Sequence, residues 1–283
     1  MVVMINDVSK AKPFLRWAGG KKWLLPVLHE FVNIKNYNAY HEPFLGGGSV
    51  FFELAPHIPA FLSDTNGDLI NTYQCVKDHP AEVWAILSSY VNTEDSYYLI
   101  RGQEPSNPIE RAARFIYLNQ TSFNGLYRVN RDGKYNVPYG KRKRVPYTLA
   151  GIISASERMQ NADFLSADFS DALEKVHRGD LVYLDPPYVV AKDDNCFILY
   201  NKHLFSLDDQ KRLSECIDRI KSAGAFYILS NAKHDTIRTI FKKDGDTVLV
   251  LNRASLIGGK KAFRGKTEEY LFTNIPEAKR LEP

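Results

Sequence analysis

The chain has 283 residues, a length that allows one or two domains with a sizeable hydrophobic core. Lys and Arg outnumber Asp and Glu by 37 to 33, and a net charge of +4 does not by itself indicate a polyanionic partner. The three cysteines, Cys75, Cys196 and Cys216, are odd in number and far apart in the sequence. This pattern argues against a disulfide framework and a cysteine-based zinc site, and we expect no bound metal.

The distribution of apolar residues argues against a membrane protein. The first residues lack the long apolar core of a signal peptide, and no apolar run approaches the ~20 residues needed to span a bilayer. We therefore expect a cytoplasmic protein without membrane association.

A glycine-containing stretch opens the informative part of the sequence. Residues 13–22 read Pro-Phe-Leu-Arg-Trp-Ala-Gly-Gly-Lys-Lys, and a helical pattern follows over residues 23–31. A phosphate-binding P-loop would need Gly where Leu15 stands and Ser or Thr where Lys22 stands, so we reject that interpretation. From the residues alone, the stretch predicts a glycine turn before a helix.

A second glycine stretch follows a short predicted strand. Residues 40–52 indicate a strand, then the loop Gly46-Gly47-Gly48, then a helix. Glycines let a backbone approach a ligand closely. Residues 60–64 predict a second strand that ends in Asp64. An acid at this place can accept hydrogen bonds from both hydroxyls of a ribose, although it can also cap the following helix.

The middle of the chain is helical and then strongly basic. Apolar residues recur at helical spacing and predict helices over 69–76, 81–90 and 110–119. Residues 121–147 carry seven basic side chains and a single acid, with Asn-Arg-Asp-Gly at 130–133 predicting a turn between two extended arms. A charge run is often only a solvated surface. Excess positive charge interleaved with aromatic residues nevertheless favours binding to a nucleic-acid backbone.

The α/β pattern returns after residue 148. A helix is predicted over 152–161, a strand that ends in Asp168 over 164–168, and a buried parallel strand over 181–184 that runs into Asp-Pro-Pro-Tyr. Two prolines cannot continue a strand, so the acid and the ring are held at its carboxyl end, where open α/β sheets place their ligands. The remaining predicted elements are a helix over 207–223, a strand over 225–231 and a final strand pair near 248–251 and 270–273.

Three motifs in this chain resemble those of the Dam-type DNA adenine-N6 methyltransferases, also called the alpha group or D12 class. They are Phe-x-x-Trp-x-Gly-Gly-Lys at 14–21, Pro-Phe-x-Gly-Gly-Gly-Ser at 43–49 and Asp-Pro-Pro-Tyr at 185–188. The resemblance spans nearly the whole chain. It implies a Rossmann-like α/β sheet of the S-adenosylmethionine-dependent kind, with an inserted helical and β-hairpin target-recognition domain. The expected division is a catalytic, cofactor-binding domain over 10–76 and 149–283 and a DNA-reading domain over 77–148.

The resemblance also assigns roles in catalysis and in binding of the cofactor, S-adenosylmethionine. Asp185 and the main-chain carbonyl of Pro186 are expected to hold the adenine amino group, and Tyr188 is expected to stack on the base. The implied catalytic residues are Asp185, Pro186, Pro187 and Tyr188. The implied cofactor-binding residues are Trp17, Lys21, Phe44, Gly46, Gly47, Gly48, Ser49, Asp64, Asp168, Phe169 and Asp185.

For DNA, the stretch 123–140 resembles the recognition hairpin of enzymes that methylate GATC. Arg128 is expected to read the guanine that precedes the target adenine, because its fork matches O6 and N7. The basic cluster at 141–144 is expected to bind phosphates, although Arg142 stands where some relatives carry an aromatic residue. The DNA-binding residues implied by the resemblance are Asn124, Leu126, Arg128, Asn130, Pro138, Lys141, Arg142, Lys143 and Arg144. Lys260 and Arg264 lie in the basic connection between the last two predicted strands, for which phosphate binding and a solvated loop are both open interpretations.

The implied reaction is methylation of adenine N6 in double-stranded DNA at a short site, expected to be GATC, with the adenine flipped into the Asp-Pro-Pro-Tyr pocket. Methylation of cytosine N4 or of RNA is disfavoured by Asp185 and by the hairpin. A cofactor-binding DNA protein without turnover is disfavoured by the presence of both Asp185 and Tyr188. We expect a monomer that associates with the nucleoid through DNA. A cognate restriction endonuclease would be a functional rather than a physical partner.

Overall fold

The computed structural model describes residues 11–54, 57–145, 147–187, 205–254 and 266–282. In this part of the chain, seven strands form a mixed sheet in the order β3-β2-β1-β4-β5-β7-β6. The predicted α/β fold with a Rossmann-like sheet is thereby confirmed. The strands are β1 Tyr40–Glu42, β2 Ala60–Asp64, β3 Ala162–Ser166, β4 Leu181–Leu184, β5 Phe226–Ala232, β6 Thr247–Ala254 and β7 Lys266–Thr273.

The helices agree with the sequence pattern in most places. Three of them, α5, α8 and α10, fall where no helix is predicted, and the others begin or end up to three residues from the predicted limits. The helices are α1 Leu25–Phe31, α2 Ser49–Leu54, α3 Gly67–Asp78, α4 Pro80–Ser89, α5 Glu94–Gly102, α6 Pro108–Thr121, α7 Leu149–Arg158, α8 Phe169–Ala172, α9 Leu207–Ser222 and α10 Asp235–Phe241.

The chain consists of two compact units. The first unit comprises Met1–Lys22, Leu45–His57 and Leu62–Ser166, and the second comprises Trp23–Phe44, Ile58–Phe61 and Ala167–Pro283. The stretch 77–148, predicted as an inserted recognition domain, lies wholly within the first unit. Its independence as a domain stays a prediction.

The core of the second unit is built around β4. All four residues of this strand are buried, and it pairs in parallel with β1 on one side and β5 on the other. Leu213, Ile217 and Ile220 on α9 pack with Val182 and Leu184 of β4 in one apolar cluster. A strand covered on both faces has to be apolar throughout, which is why β4 is a continuous hydrophobic run in the sequence. β7 is antiparallel to both β5 and β6, as the predicted final strand pair required.

In the first unit, hydrogen bonds from the end of α6 fix the segment that precedes the first glycine turn. The Asn119 side chain accepts from the Arg16 amide at 2.8 Å and donates to the Arg16 carbonyl at 2.7 Å. The neighbouring Gln120 side chain donates to the Phe14 carbonyl at 2.6 Å. Both polar side chains are buried, so these bonds replace the water that the groups lose on folding. The backbone just before Trp17 is therefore held firmly against α6.

A buried histidine in the second unit makes stability depend on pH. His41 is 2% exposed, stacks on Phe61 with ring centroids 4.9 Å apart, and has Nε2 3.0 Å from an Asp180 carboxylate oxygen. Burial lowers the pKa of His41 below its ordinary value of 6.5, against the opposing effect of Asp180. No acceptor in the described part of the chain reaches His41 Nδ1. Protonation would therefore bury an unsatisfied N–H.

We expect the free energy of unfolding to fall as the pH is lowered from about 7.5 to about 5.5, because the unfolded chain takes up the His41 proton and the folded chain resists it. Urea unfolding at several pH values measures this slope. His41→Gln should make this slope shallower by an amount that corresponds to at most one proton taken up on unfolding. His79→Gln, at an exposed position, serves as the control. Equal slopes in the wild type and His41→Gln would contradict the expectation.

Candidate active site

Asp185 lies directly after β4, at the carboxyl end of a fully buried strand. Ser230, on the neighbouring strand β5, donates a hydrogen bond to Asp185 Oδ1 at 3.0 Å. The Tyr183 and Ser230 hydroxyl oxygens lie 3.5 Å apart. Pro186 is buried and Pro187 is exposed, whereas Tyr188 lies outside the described residues. The carboxylate is therefore at the edge of the sheet with its orientation fixed by a second strand.

Two buried tyrosines lie near acidic side chains of the second unit, Tyr183 near Asp185 and Tyr40 near Glu42. Tyr183 has its pKa raised well above 10 by burial and by Asp185, and Tyr40 has its pKa raised by burial and by Glu42. Tyr40 donates to a Glu42 carboxylate oxygen at 2.7 Å. Both phenols therefore stay protonated. Ser230, Tyr183 and Glu42 were not predicted as site residues. Glu42 and Ser230 lie on the strands that pair in parallel with β4, and Tyr183 lies on β4 two residues before Asp185, and these positions are the signal that would have indicated them.

Three aromatic rings form a cluster in the second unit. Phe44 follows β1, and its ring lies 5.4 Å from that of Phe169 and 5.7 Å from that of Phe205. The Arg212 guanidinium lies over the Phe169 ring at 4.9 Å. Phe44 and Phe169, both predicted cofactor residues, are thus brought together in one cluster. Phe205 and Arg212 were not predicted, since each follows a stretch without a recognised motif.

Asp168 is engaged by several donors. Its Oδ1 accepts from the Ser170 amide at 3.0 Å, from the Ser170 hydroxyl at 2.6 Å and from Arg212 at 2.6 Å. Burial alone would raise the pKa of Asp168, but Ser170 and Arg212 together lower it. The residue therefore stays ionised and caps the short helix α8.

In the first unit, Asp64 joins the glycine loop to the turn after β2. Its Oδ2 accepts from the Gly46 amide at 3.0 Å and its Oδ1 accepts from the Asn66 amide at 2.9 Å. Gly46 and Gly48 have φ angles of 48° and 63°, which glycine adopts without strain. Burial raises the pKa of Asp64 even though backbone amides donate to it. The carboxylate is thus only partly compensated and would gain from further donors.

Trp17 lies directly against this loop. A Cβ built on Gly46 would come within 2.7 Å of the Trp17 indole, and one on Gly47 would come within 2.8 Å of the Trp17 Cβ. Lys21 is 2% exposed, its amide donates to Ser49 Oγ at 3.1 Å, and its ammonium donates to the Gly19 carbonyl at 3.3 Å. The predicted residues Trp17, Lys21, Gly46, Ser49 and Asp64 therefore belong to one connected group.

The predicted turn of the recognition hairpin is present. The Asn130 side chain accepts from the amides of Asp132 and Lys134 at 3.0 and 2.9 Å, and isolated bridges join Val129 to Tyr135 and Ser122 to Tyr139. Arg128 is held from one side, since its Nε donates to the Asn136 amide oxygen at 2.7 Å and a terminal nitrogen donates to the Asn136 carbonyl at 3.2 Å. The hairpin is thus ordered by its own polar side chains.

Most predicted DNA-binding residues of the first unit are exposed. Arg142 is half-buried and donates to the Gln120 carbonyl at 3.4 Å, and the Lys141 ammonium lies 4.0 Å from a Glu94 oxygen. Lys260 and Arg264 lie outside the described residues. The exposed residues are Asn124, Leu126, Arg128, Asn130, Pro138, Lys141, Lys143 and Arg144.

Two absences within the described residues bear on other classes of protein. No group of three or more His, Cys, Asp or Glu side chains there is arranged to hold a metal ion. None of the helices described is both long enough and apolar enough to cross a membrane.

Comparison with known proteins identifies the family. A family model described as D12 class N6 adenine-specific DNA methyltransferase matches residues 17–255. The chain belongs to this family. This methyltransferase therefore transfers a methyl group to adenine N6 in DNA, and the predicted enzyme class is confirmed. The family implies a methyl donor, and the roles of individual residues stay predictions.

Several relatives are similar over most of their length. A type II methyltransferase of Lactococcus lactis subsp. cremoris, M1.LlaDCHI, is 36% identical over 285 residues, 97% of this chain and 99% of the relative. A type II methyltransferase of Methanocaldococcus jannaschii, M.MjaIII, is 35% identical over 245 residues, 79% of this chain and 85% of the relative. A DNA adenine methylase of Escherichia coli (strain K12) is 33% identical over 240 residues, 82% of this chain and 84% of the relative.

Ser230→Ala tests whether the orientation of Asp185 matters to this methyltransferase. The substitution removes the hydroxyl that donates to the carboxylate, and a hydrogen bond to a charged group contributes ~1.5–3 kcal/mol. We expect kcat for adenine methylation to fall about 10-fold to 100-fold, with little change in the KM for DNA. Ser230→Thr keeps a hydroxyl and should retain more activity. A Ser230→Ala enzyme as fast as the wild type would show that this hydrogen bond has no catalytic role.

Proposed function

We propose that the methyl donor is S-adenosylmethionine and that the glycine loop and Asp64 hold its adenosyl ribose. The partly compensated Asp64 carboxylate suits two hydroxyl donors, and a loop of three glycines lets backbone amides approach a ligand. Trp17 offers an aromatic face, and Lys21 carries a positive charge suited to a carboxylate group. When bound, S-adenosylmethionine supplies an electrophilic methyl group on a positively charged sulfur. The residues present therefore fit this cofactor.

Taken by itself, the second unit carries groups that suit an adenine ring. Phe44 and Phe169 provide apolar faces, and the ionised Asp168 can accept a hydrogen bond from an exocyclic amino group. Because Arg212 and Ser170 already occupy Asp168 Oδ1, we assign this acceptor role to its other oxygen. The same ion pair keeps the carboxylate charged and fixed in direction.

The catalytic proposal rests on one observation, the position of Asp185 directly after the buried strand β4 with Ser230 donating to its Oδ1. Adenine N6 is a poor nucleophile because its lone pair is delocalised into the ring. We assign Asp185 and the Pro186 carbonyl as acceptors of the two N6–H groups. This arrangement favours a more tetrahedral nitrogen whose lone pair is aimed at the methyl group. The contribution is orientational and electrostatic, so Asp185 does not have to be a strong base.

The target adenine has to leave the DNA duplex to reach a carboxylate at this sheet edge. A base paired inside B-DNA has its amino group hydrogen-bonded to its partner, which prevents both acceptors from engaging it. We therefore propose base flipping into a pocket formed by Asp185, Pro186, Pro187 and Tyr188, with Tyr188 stacking on the base.

Asp185→Ala tests the catalytic proposal. We expect the methylation rate to fall at least about 100-fold, as is typical when a transition-state hydrogen-bond partner is lost, while affinity for S-adenosylhomocysteine changes little. The assay incubates DNA with labelled S-adenosylmethionine, digests the product to nucleosides and quantifies N6-methyladenine. Asp208→Ala, at an exposed position on α9, is the matched control. More than a tenth of the wild-type rate in Asp185→Ala would contradict the assignment.

For the recognition site we propose GATC, with Arg128 reading the guanine before the target adenine. An exposed arginine held on one side by Asn136 has a defined direction and a planar fork that matches guanine O6 and N7. The exposed basic residues Lys141, Lys143 and Arg144 are assigned to phosphates, which position the protein without specifying sequence. Asn124, Leu126, Asn130 and Pro138 are the other proposed contacts of the hairpin with DNA.

Arg128→Ala and Lys143→Ala should have different kinds of effect on DNA recognition. Arg128→Ala should lose ~1–3 kcal/mol of discrimination at one guanine and methylate sites with other bases there. Lys143→Ala should weaken all duplexes about equally and reduce the salt dependence of binding. The measurement is methylation rate on duplexes substituted at each position of GATC, at several salt concentrations. If Arg128→Ala slows every duplex by the same factor, Arg128 is a phosphate contact instead.

Two further proposals concern the biological setting. The names of the type II relatives support a role beside a restriction endonuclease that cuts the same site, a partner in function and not in physical assembly. We also propose that the enzyme acts as a monomer and that residues 77–148 form the DNA-reading domain. Sedimentation of the enzyme with and without a cognate duplex would test the monomer.

A further inference from the structure

Tyr127, which no motif singled out, lies where the recognition hairpin meets the glycine loop in the first unit. Its ring stacks on Trp17, with centroids 5.6 Å apart and planes at 22°. On the hairpin side it contacts Tyr135 at 5.8 Å, and on α6 it contacts Phe115 at 5.4 Å. It also directly precedes Arg128. One side chain therefore joins the segment assigned to DNA with the tryptophan assigned to the cofactor.

Trp17 is packed tightly against the glycine loop, so a shift of its ring would displace the loop. Even one added carbon at Gly46 would come within 2.7 Å of the indole. The Gly46 carbonyl is in turn fixed by the Tyr73 hydroxyl at 3.0 Å. A displacement of Tyr127 thus changes how Trp17 covers the loop.

Tyr127 also lies beside the turn after β2, since Tyr127 and Asn66 line one cavity. Burial raises the pKa of Tyr127, and the Asn66 side chain acts in the lowering direction. The Asn66 amide donates to Asp64 Oδ1, and Asp64 Oδ2 accepts from the Gly46 amide. The stacking contact with Trp17 and the position beside Asn66 therefore both link Tyr127 to the same loop.

The surroundings of Tyr127 are not those of a continuous core. A cavity of about 640 Å³ lies beside it, between the turn that carries Asn66 and Asp68 and the hairpin residues Val129 and Gly133. The hairpin and this turn are thus separated by open space along part of their length. Tyr127 lines that space and at the same time stacks on Trp17.

We infer that Tyr127 is a positioning residue that couples DNA binding by the recognition hairpin to binding of the methyl donor at the glycine loop. The inference rests on the proposed function, because it takes the roles of the hairpin, Trp17 and Asp64 from it. By linkage, DNA that favours one arrangement of Tyr127 raises the affinity for the donor, and the donor raises the affinity for DNA by the same factor.

The test is calorimetric titration of S-adenosylhomocysteine into the full-length enzyme, alone and saturated with a duplex that the wild type methylates. The ratio of the two dissociation constants is the coupling. For the wild type we expect about 5-fold to 50-fold tighter binding with DNA present, within the usual range for coupled sites. Tyr127→Leu should bring the ratio within about twofold of unity. Tyr127→Phe keeps the stack, loses the hydroxyl and should give an intermediate ratio.

Tyr98→Leu is the matched control, since Tyr98 is 40% exposed on α5 and should keep the wild-type ratio. Thermal unfolding of each variant separates loss of coupling from loss of structure, because a purely structural role changes stability and leaves the ratio intact. A ratio of one in the wild type, or a wild-type ratio in folded Tyr127→Leu, overturns the inference. If Tyr127→Leu does not fold, a wild-type ratio in Tyr127→Phe overturns it.

Asp64→Ala distinguishes this inference from the proposed function. Loss of a charged partner for the ribose should weaken binding of S-adenosylhomocysteine about 10-fold to 100-fold in both titrations. Unchanged affinity in folded Asp64→Ala, or no binding of S-adenosylhomocysteine by the wild type, would instead refute the assignment of the cofactor site.

Discussion

The parallel pairing of β4 with β1 and β5 is the constraint on which the second unit depends. β4 is buried along its whole length, so its residues are used for packing, and Tyr183 also brings its hydroxyl oxygen to 3.5 Å from that of Ser230. The first side chain of this segment that is not fully buried is Asp185, where the strand stops. Because parallel strands end at the same sheet edge, the pairing also brings Ser230 to Asp185 and places Glu42 at the end of β1. Proline at 186 and 187 ends the strand at that point.

Burial of charge at these strand ends is costly and is compensated locally. Asp64 has two backbone amides, Asp168 has Ser170 and Arg212, and Asp185 has Ser230. The degree of compensation differs, since the pKa of Asp64 is raised by burial and that of Asp168 is lowered by its partners. An undercompensated carboxylate suits ligand binding, because a ligand that donates hydrogen bonds relieves its desolvation. At Asp168 the donors converge on Oδ1 and fix the direction of the carboxylate, and the other oxygen is the one we propose for a ligand.

The sequence predicted the parts of the fold that depend on local pattern. The buried run before Asp-Pro-Pro-Tyr, the three-glycine loop and the acid after β2 each have a short-range physical cause, and each lies where expected. Helix α5 was missed because its apolar residues are consecutive, over 97–100, and do not recur at helical spacing. Ser230, Arg212 and Tyr127 were missed for a related reason. Each contacts a partner on another secondary-structure element, and residue spacing in the sequence does not reveal such contacts.

Arg128, which we propose as the reader of guanine, is held in place by Asn136. A guanidinium carries five N–H groups, and the two bonds to Asn136 use two of them, which leaves three. Arg128 can therefore contact a base while Asn136 continues to hold it. Ordering a long side chain on binding costs about 0.5–1.5 kcal/mol, and a side chain that is already held loses less. Exposed lysines such as Lys143 suit phosphates, because a point charge on a flexible stem tolerates variation in backbone position. The hairpin thus combines one directed arginine with adaptable charges, and Tyr127 connects that arginine's own backbone to Trp17.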